Sequence, residues 1–334
     1  MLRFFVKRAL LAVLTLFAIS VTVFSLFFLG PADPAASMCG TKQCTQAQHD
    51  RIEQSLELNK SPVTQYAGYM RGVFAGRDIG TGTDKIECPA PCLGLNFRTY
   101  EQVSDIIGRT LPVTISIVLG AAVVYVLFGT SLGMVSAIWR GSPLDRIAAS
   151  TSLTFASTQI FFLGSLILLI LVYKTGVLPR PQYISPLSDP LGWFGGMIAP
   201  WLALGLINSA AYSRFARAQM IETLGEDFIR TARAKGLRIK TVYFRHALRA
   251  AITPIVTIAG LDIGGQLGGV AITESTFSLP GMGRTALRAV GDQNLPIVMA
   301  VVLFGAVFIV FANVLVDMLY AVIDPRVKLG SSGR

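Results

Sequence analysis

Asp262 is the single charged residue in the 24-residue stretch Ala250–Thr273, and Gln266 follows it four positions on. That spacing puts both side chains on one helix face, a carboxylate beside an amide. Gly260, Gly264 and Gly268 recur at the same interval and lie about 200° away around the helix, at ~100° per residue. Small residues at this period let two helices approach closely in a membrane. One face therefore packs, while the other, continued by Gly269 and Thr273, is narrow and polar. Asp262 can there meet an ammonium group of a solute, or pair structurally inside a helix bundle. Asn208 either lines the same path or bonds across helices. Asn313, Asp317 and Tyr320 share a face by their i, i+4, i+7 spacing, and Asp317 suits a local partnership with arginines.

This set is poor for bond-breaking chemistry. The chain has two histidines, no His-Glu-x-x-His, and no evident nucleophile–base pair. It also lacks a Gly-x-x-x-x-Gly-Lys-Ser/Thr loop, the backbone cradle for a nucleotide's phosphates. Its four cysteines, Cys39, Cys44, Cys88 and Cys92, all fall within one inter-span segment. An even number so confined suggests disulfides on an oxidising side. The local pairs 39–44 and 88–92 are one solution, and a bridge between the ends of the segment is another. Irregular spacing, with His49 alone nearby, argues against a metal site.

The elements that carry these residues are apolar and long. The 334 residues are 52% hydrophobic and only 14% charged, against about 25% charged in soluble domains. Ala9–Leu29, Leu111–Ile138, Ile147–Tyr173, Leu191–Ser213 and Leu295–Val316 carry no charge, and Ala250–Thr273 carries one. About 20 apolar residues cross a bilayer core as a helix, so six transmembrane helices are expected in an all-α membrane protein. The 21 apolar residues of the first span exceed the 7–15-residue core of a cleavable signal. Met38 before Cys39 is too bulky for a lipid-attachment site, so residues 1–29 read as a retained anchor helix.

Lysine and arginine counts orient the spans. With the N-terminus inside, the cytoplasmic segments hold three, two, nine and three basic residues, and the two short external loops hold two each. Residues 30–110 add eight, but so long a loop crosses regardless of charge. Both termini are expected in the cytoplasm. The net charge of +10 then reflects a basic face towards anionic lipid, and no nucleic-acid partner is expected. Residues 30–110 form an external loop domain, with helical spacing over His49–Leu58 and Val63–Phe74. Residues 111–322 form a core of five spans, and 323–334 a cytoplasmic tail.

Within the core, loop 214–249 shows two short helical patterns broken at Gly236. Ile229, Ala232 and Leu237 mark one stripe; Ile239, Val242, Tyr243 and His246 mark another. A glycine supplies the sharp turn between them. Such an amphipathic projection suits docking into a groove of a partner protein.

Thr231-Ala232-Arg233-Ala234-Lys235-Gly236, followed by His246-Ala247-Leu248-Arg249 and Pro254, resembles the signature loop of ABC importer permeases, above all the B-type subunits of dipeptide and oligopeptide permeases. Further matches are Pro31-Ala32-Asp33-Pro34, Arg109-Thr110-Leu111-Pro112, Thr273–Arg284 with its Leu279-Pro280-Gly281-Met282-Gly283 turn, and Asp324-Pro325-Arg326. The cysteine-bearing segments are additions to that pattern.

The resemblance implies a type I importer permease in a bacterial inner membrane, moving dipeptides or short oligopeptides. It implies a homologous second permease, two ATPase subunits or domains that bind ATP and Mg, and an extracytoplasmic peptide-binding protein. Thr231, Ala232, Ala234, Lys235, Gly236, His246 and Leu248 would then couple to the ATPases. Asp262, Gln266, Thr273, Asn208 and Asn313 would line the path, and the Leu279–Gly283 turn would form an ordered element beside the gate. Nickel, haem or glutathione importers share these loops. An ion-coupled secondary transporter, which should show internal repeats and midplane coupling sites, is the alternative from a different class.

Overall fold

Apolar length decides where the long helices run, and short caps decide where they start. The computed structural model describes residues 2–28, 45–47, 49, 53, 60–79, 86–96 and 98–323. In chain order these form helices α1 (Leu2–Phe28) and α2 (Pro62–Ala75), strands β1 (Arg77–Ile79) and β2 (Ile86–Cys88), and helices α3 (Val103–Ile138), α4 (Pro143–Ser157) and α5 (Ile160–Lys174). Helices α6 (Pro190–Gly225), α7 (Asp227–Ala234), α8 (Ile239–Leu267), α9 (Ala271–Thr276), α10 (Met282–Gly291) and α11 (Leu295–Ile323) follow. The starts of α2, α4 and α6 share one device. Ser61, Ser142 and Asp189 each accept a hydrogen bond from a first-turn backbone N–H, and a proline occupies the first helical position.

Among the described residues α1, α3, α6, α8 and α11 are each long and apolar enough to cross a membrane. The third expected span, Ile147–Tyr173, is not one rod. It is split between α4 and α5, which meet at 103°. Thr158 and Gln159 at the break have extended backbones. No proline forces the bend. Instead the hydroxyls of Thr154, Ser157 and Thr158 bond back to carbonyls one turn earlier, at 3.0, 3.0 and 2.7 Å. Such back-bonds to carbonyls in the last two turns of α4 favour a bend. The fifth span also ends early. Helix α8 stops at Leu267, and Gly269 takes φ +126°, so the polar face of Asp262 does not run on to Thr273, which belongs to α9.

The chain forms two compact units. One comprises residues 1–114, 267–271 and 280–311. In it α2 holds the inner face of α1: the hydroxyls of Ser20 and Tyr66 are 2.7 Å apart, and Val23 and Phe24 pack with Tyr69 and Met299. Burial pushes the Tyr69 phenol up to about 12, offset in part by the nearby Arg77 guanidinium. A second cluster gathers Val103, Ile107, Met282, Ile297 and Val301. The loop domain is not wholly helical, because β1 and β2 pair antiparallel with Arg77 opposite Cys88. Cys88 and Cys92 are disulfide-bonded with Cα atoms 5.4 Å apart. Cys39 and Cys44, and most of the helix expected over His49–Leu58, lie outside the described residues.

The other unit comprises residues 115–266, 272–279 and 312–334. Its centre is the crossing of α3 and α6. A Cβ on Gly129 would come within 2.9 Å of the Ser209 backbone, and one on Gly133 would collide with the Ser213 carbonyl oxygen. Glycine is required at both for the two backbones to touch. Trp201 fills the space beside Gly120 and donates its indole N–H to the Ser116 carbonyl at 2.8 Å. Gly260 of α8 likewise accommodates Val316 of α11.

Gly133→Ala is expected to destabilise the detergent-solubilised chain by about 1–3 kcal/mol through overpacking, read as a lower thermal unfolding temperature. The matched Gly108→Ala, whose Cβ would meet nothing within 4 Å, should melt like the parent. Equal melting of the two variants would rule out the close crossing.

Candidate functional site

The α3–α6 crossing builds a polar cluster in the middle of an apolar unit. At Tyr125 helix α3 enters a π turn, Tyr125–Gly129, a distortion that is frequent at functional sites. The turn sets the Tyr125 ring 4.7 Å from that of Tyr212 on α6. Both rings are enclosed, at 0% and 4% exposure. The Tyr212 hydroxyl donates to Asp262 Oδ2 at 2.7 Å. The Tyr125 hydroxyl faces Tyr212, Gln266 and the Asp262 charge, yet closes no hydrogen bond of ordinary geometry. Gln266 Oε1 is also buried without a donor. Asp262 itself is half-buried and forms no ion pair among the described residues. The cluster therefore presents a carboxylate, an amide oxygen and a phenol with unused hydrogen-bonding capacity.

Of the residues expected along the path, Asp262 and Gln266 meet in this cluster. Asn208 instead donates to its own helix, to the Leu204 carbonyl at 2.9 Å. Thr273 is buried in α9, beyond the break at Gly269, and Asn313 is exposed on α11. The side chains of Asp317 and Tyr320 lie outside the described residues. Tyr125 and Tyr212 escaped sequence reasoning because tyrosine is at home in an apolar span. The available signal was the hydroxyl, which needs a partner when buried.

Towards the ends of α3 and α6 lies a second polar contact that composition alone does not reveal. Arg217 donates through Nε to Asp145 Oδ1 at 2.8 Å and through Nη2 to Oδ2 at 3.0 Å. The Ser136 hydroxyl adds a bond to Oδ1, and the Gly141 N–H one to Oδ2 at 2.9 Å. Paired donors in a fixed fork make this a directional clamp. It ties α3 and α6 to the first turn of α4. The Ser142-Pro143-x-Asp145 start of α4 was its one sequence mark, since an acid there belongs to a helix N-terminus.

Beyond the clamp, α7 and the start of α8 form the projecting loop. Helix α6 runs on to Gly225, twelve residues past the expected span end, so the free part of the loop is shorter than 214–249. Gly236 takes φ +72°. Its N–H reaches the Arg233 carbonyl at 2.9 Å, and that of Leu237 reaches Ala232 at 3.3 Å. This paired pattern closes a helix when a left-handed residue follows its end. The turn then lets both short helices bury an inner face: Ile229, Ala232, Val242 and Ala247 pack with Ala137, Met220 and Ala251. Thr231, Ala234, Lys235 and Gly236 are exposed, while His246 and Leu248 are half-buried. Leu237 and Ile239, placed on the apolar stripes by periodicity, instead face outwards with Phe228 and Phe244. Ile239 and Phe244 are 65% and 66% exposed. The loop thus has an anchored apolar inside and an apolar outside fringed by Arg230, Lys235, Arg238 and Lys240.

In the first unit a cavity of about 490 Å³ opens between the start of α3 and α10. Arg98–Asp292 and Arg109–Glu101 pairs, at 2.7 and 2.5 Å, line it, and Asn294 donates to Asn96 at 2.7 Å. The Pro280–Gly283 turn borders it. Met282 is fully buried, and its N–H donates to the Thr114 hydroxyl at 2.9 Å. The turn is an ordered element.

Long apolar helices and a seated projecting loop with an apolar outer face describe a membrane unit with a docking surface. Residues 129–329 match the model of binding-protein-dependent transport system inner membrane components, and residues 1–118 match the N-terminal model for such membrane components. The chain belongs to this family. It is similar to the dipeptide transport system permease protein DppB of Escherichia coli K12, 31% identical over 98% of this chain and 99% of the relative. The dipeptide permease DppB of Alkalihalophilus pseudofirmus is 32% identical over 98% and 100%. The glutathione transport system permease protein GsiC of Pectobacterium atrosepticum is 34% identical over 98% and 99%. This permease is a multi-pass, all-α membrane subunit of an ABC importer and not an enzyme. Within it, the close crossing, the clamp and the seated loop form one continuous support.

The clamp can be tested without any transport assay. Arg217→Met should cost the solubilised permease about 2–3 kcal/mol by leaving the buried Asp145 carboxylate without its cation. In a cycle with Asp145→Asn, the pair should couple by about 1–3 kcal/mol in thermal or denaturant unfolding. Additive effects of the two substitutions would show that the contact carries no stability.

Proposed function

We propose that this permease conducts dipeptides or short oligopeptides through the membrane, paired with a homologous second permease and driven by two ATP-hydrolysing subunits or domains. The observation that carries the coupling half of this reading is the loop around Gly236. Its inner face is locked onto α3 and α6, and its outer face offers Phe228, Leu237, Ile239 and Phe244 to a groove. A helix seated on both sides transmits displacement, and one loose on either side does not. ATP and Mg are assigned to the partner subunits. An external peptide-binding protein delivers the substrate, and the charged cavity beside α10 offers it a polar landing site.

The substrate class is supported by near-full-length similarity to the dipeptide permeases and to the glutathione permease. Glutathione is itself a short peptide with a free ammonium group, so both relatives support one chemical class. The lysine and arginine distribution supports an inner-membrane orientation with both termini in the cytoplasm. In that orientation the nine basic residues between Arg214 and Arg249 face the ATPases and anionic lipid.

Gly236→Val tests the coupling. A β-branched residue at φ +72° costs about 1–2 kcal/mol and pushes the turn out of shape. In proteoliposomes holding the complete importer, dipeptide uptake should fall about tenfold or more, while ATP hydrolysis by the same preparation persists. Uptake that survives removal of the ATPase subunits and follows an ion gradient would overturn the proposal.

A further inference from the structure

We propose that Tyr125, Tyr212, Asp262 and Gln266 form a binding site, inside the permease, for the ammonium group of the transported peptide. The inference deepens the peptide-importer reading and rests on it. Four observations point to a cationic guest. Asp262 is an acid in a helix long and apolar enough to span a membrane, and no cation in this chain pairs with it among the described residues. Isolated charges at such depth are costly and normally carry a partner. One of its oxygens is held by Tyr212, which fixes the carboxylate and leaves Oδ1 for a second donor. Gln266 Oε1 is buried with no donor supplied by the protein. The Tyr125 side chain is fully enclosed, and its hydroxyl faces the same cluster without closing a hydrogen bond of ordinary geometry.

Most of the unmet need is for donors, and the Tyr125 O–H is the one unbonded donor in the cluster. Two oxygens, Asp262 Oδ1 and Gln266 Oε1, lack hydrogen-bond donors, and the phenol oxygen can also accept. An ammonium group brings three N–H donors and one positive charge. A neutral or anionic guest would leave the carboxylate uncompensated. Tyr125 and Tyr212 each sit near the middle of 36-residue helices, where a solute crossing the unit would pass. The π turn that delivers Tyr125 is the kind of helix defect that a binding site retains.

The probes are alanyl-alanine and its N-acetyl derivative, which differ in the charged amine. Binding to the complete importer, prepared without its external binding protein, is followed by ligand-detected saturation-transfer NMR. The wild-type assembly should bind the free amine at least about tenfold more tightly than the acetylated peptide, the scale of a charged hydrogen bond. Asp262→Asn should bring the ratio close to one, and Asp262→Glu should keep most of it. Tyr125→Phe, which removes one hydroxyl from an intact core, should lower the ratio severalfold and carries the test if Asp262→Asn does not assemble. An unaltered ratio in Asp262→Asn or Tyr125→Phe would overturn the site. So would absence of amine preference in the wild type, or displacement of the peptide by sodium or potassium at low millimolar levels. Uptake in the proteoliposome assay with no amine preference in binding would remove this site alone. Loss of all peptide uptake in that assay would remove the importer reading beneath it.

Discussion

Two long-range polar contacts of the second unit, the tyrosine–aspartate cluster and the arginine clamp, depend on how closely α3 and α6 approach. Glycines 129 and 133 let the two backbones meet without intervening side chains. That distance sets the Tyr125–Tyr212 stack above the crossing and the Asp145–Arg217 clamp beyond it. It also sets the floor on which the projecting loop rests, through Ala137 and Met220. Bulkier residues at the crossing would push all three apart together. In a bilayer, where burial of apolar surface does not drive helices together, such contact has to come from packing and polar bonds. The unit uses both.

The two polar contacts along this pair of helices differ in a way that suits different tasks. The clamp is satisfied: Asp145 receives four donors and has nothing left to offer. The Tyr125–Asp262 cluster is unsatisfied, with buried oxygens awaiting a donor. A saturated network holds geometry, whereas an open one has a reason to take up a guest. The loop shows the same division in apolar terms. Ile229 and Val242 are fully buried, while Phe244 and Ile239 remain open on the other side.

Much of this was legible from residue order, and the physics says which parts. Hydropathy marks α1, α3, α6, α8 and α11 because an apolar run of ~20 residues has few other fates. Gly236 was legible because a left-handed residue between two short helical patterns leaves glycine as the cheapest choice. The bend between α4 and α5 was not, since hydroxyl-to-carbonyl bonds leave the apolar count of Ile147–Tyr173 unchanged. Nor was the early end of α8, where Gly269 reads equally well as a continuation of the polar face of Asp262 and Gln266. Tyr212 and Arg217 became partners of Asp262 and Asp145 only through tertiary approach, 50 and 72 residues away in sequence. Leu237 and Ile239 misled because periodicity identifies an apolar face without saying whether this chain or another covers it.

Helix α6 is unbroken from Pro190 to Gly225, roughly 54 Å at the usual rise per residue. Tyr212, Ala216 and Met220 stand on one of its faces, all buried. The residue that holds the Asp262 carboxylate and the residue that seats the loop are thus two turns apart on one continuous helix. Where the two are coupled, thermodynamic linkage makes the relation symmetric. If displacement of the loop alters the hold on a guest beside Asp262, then the guest's arrival biases the loop to the same degree. The same helix would then carry news of occupancy as well as force.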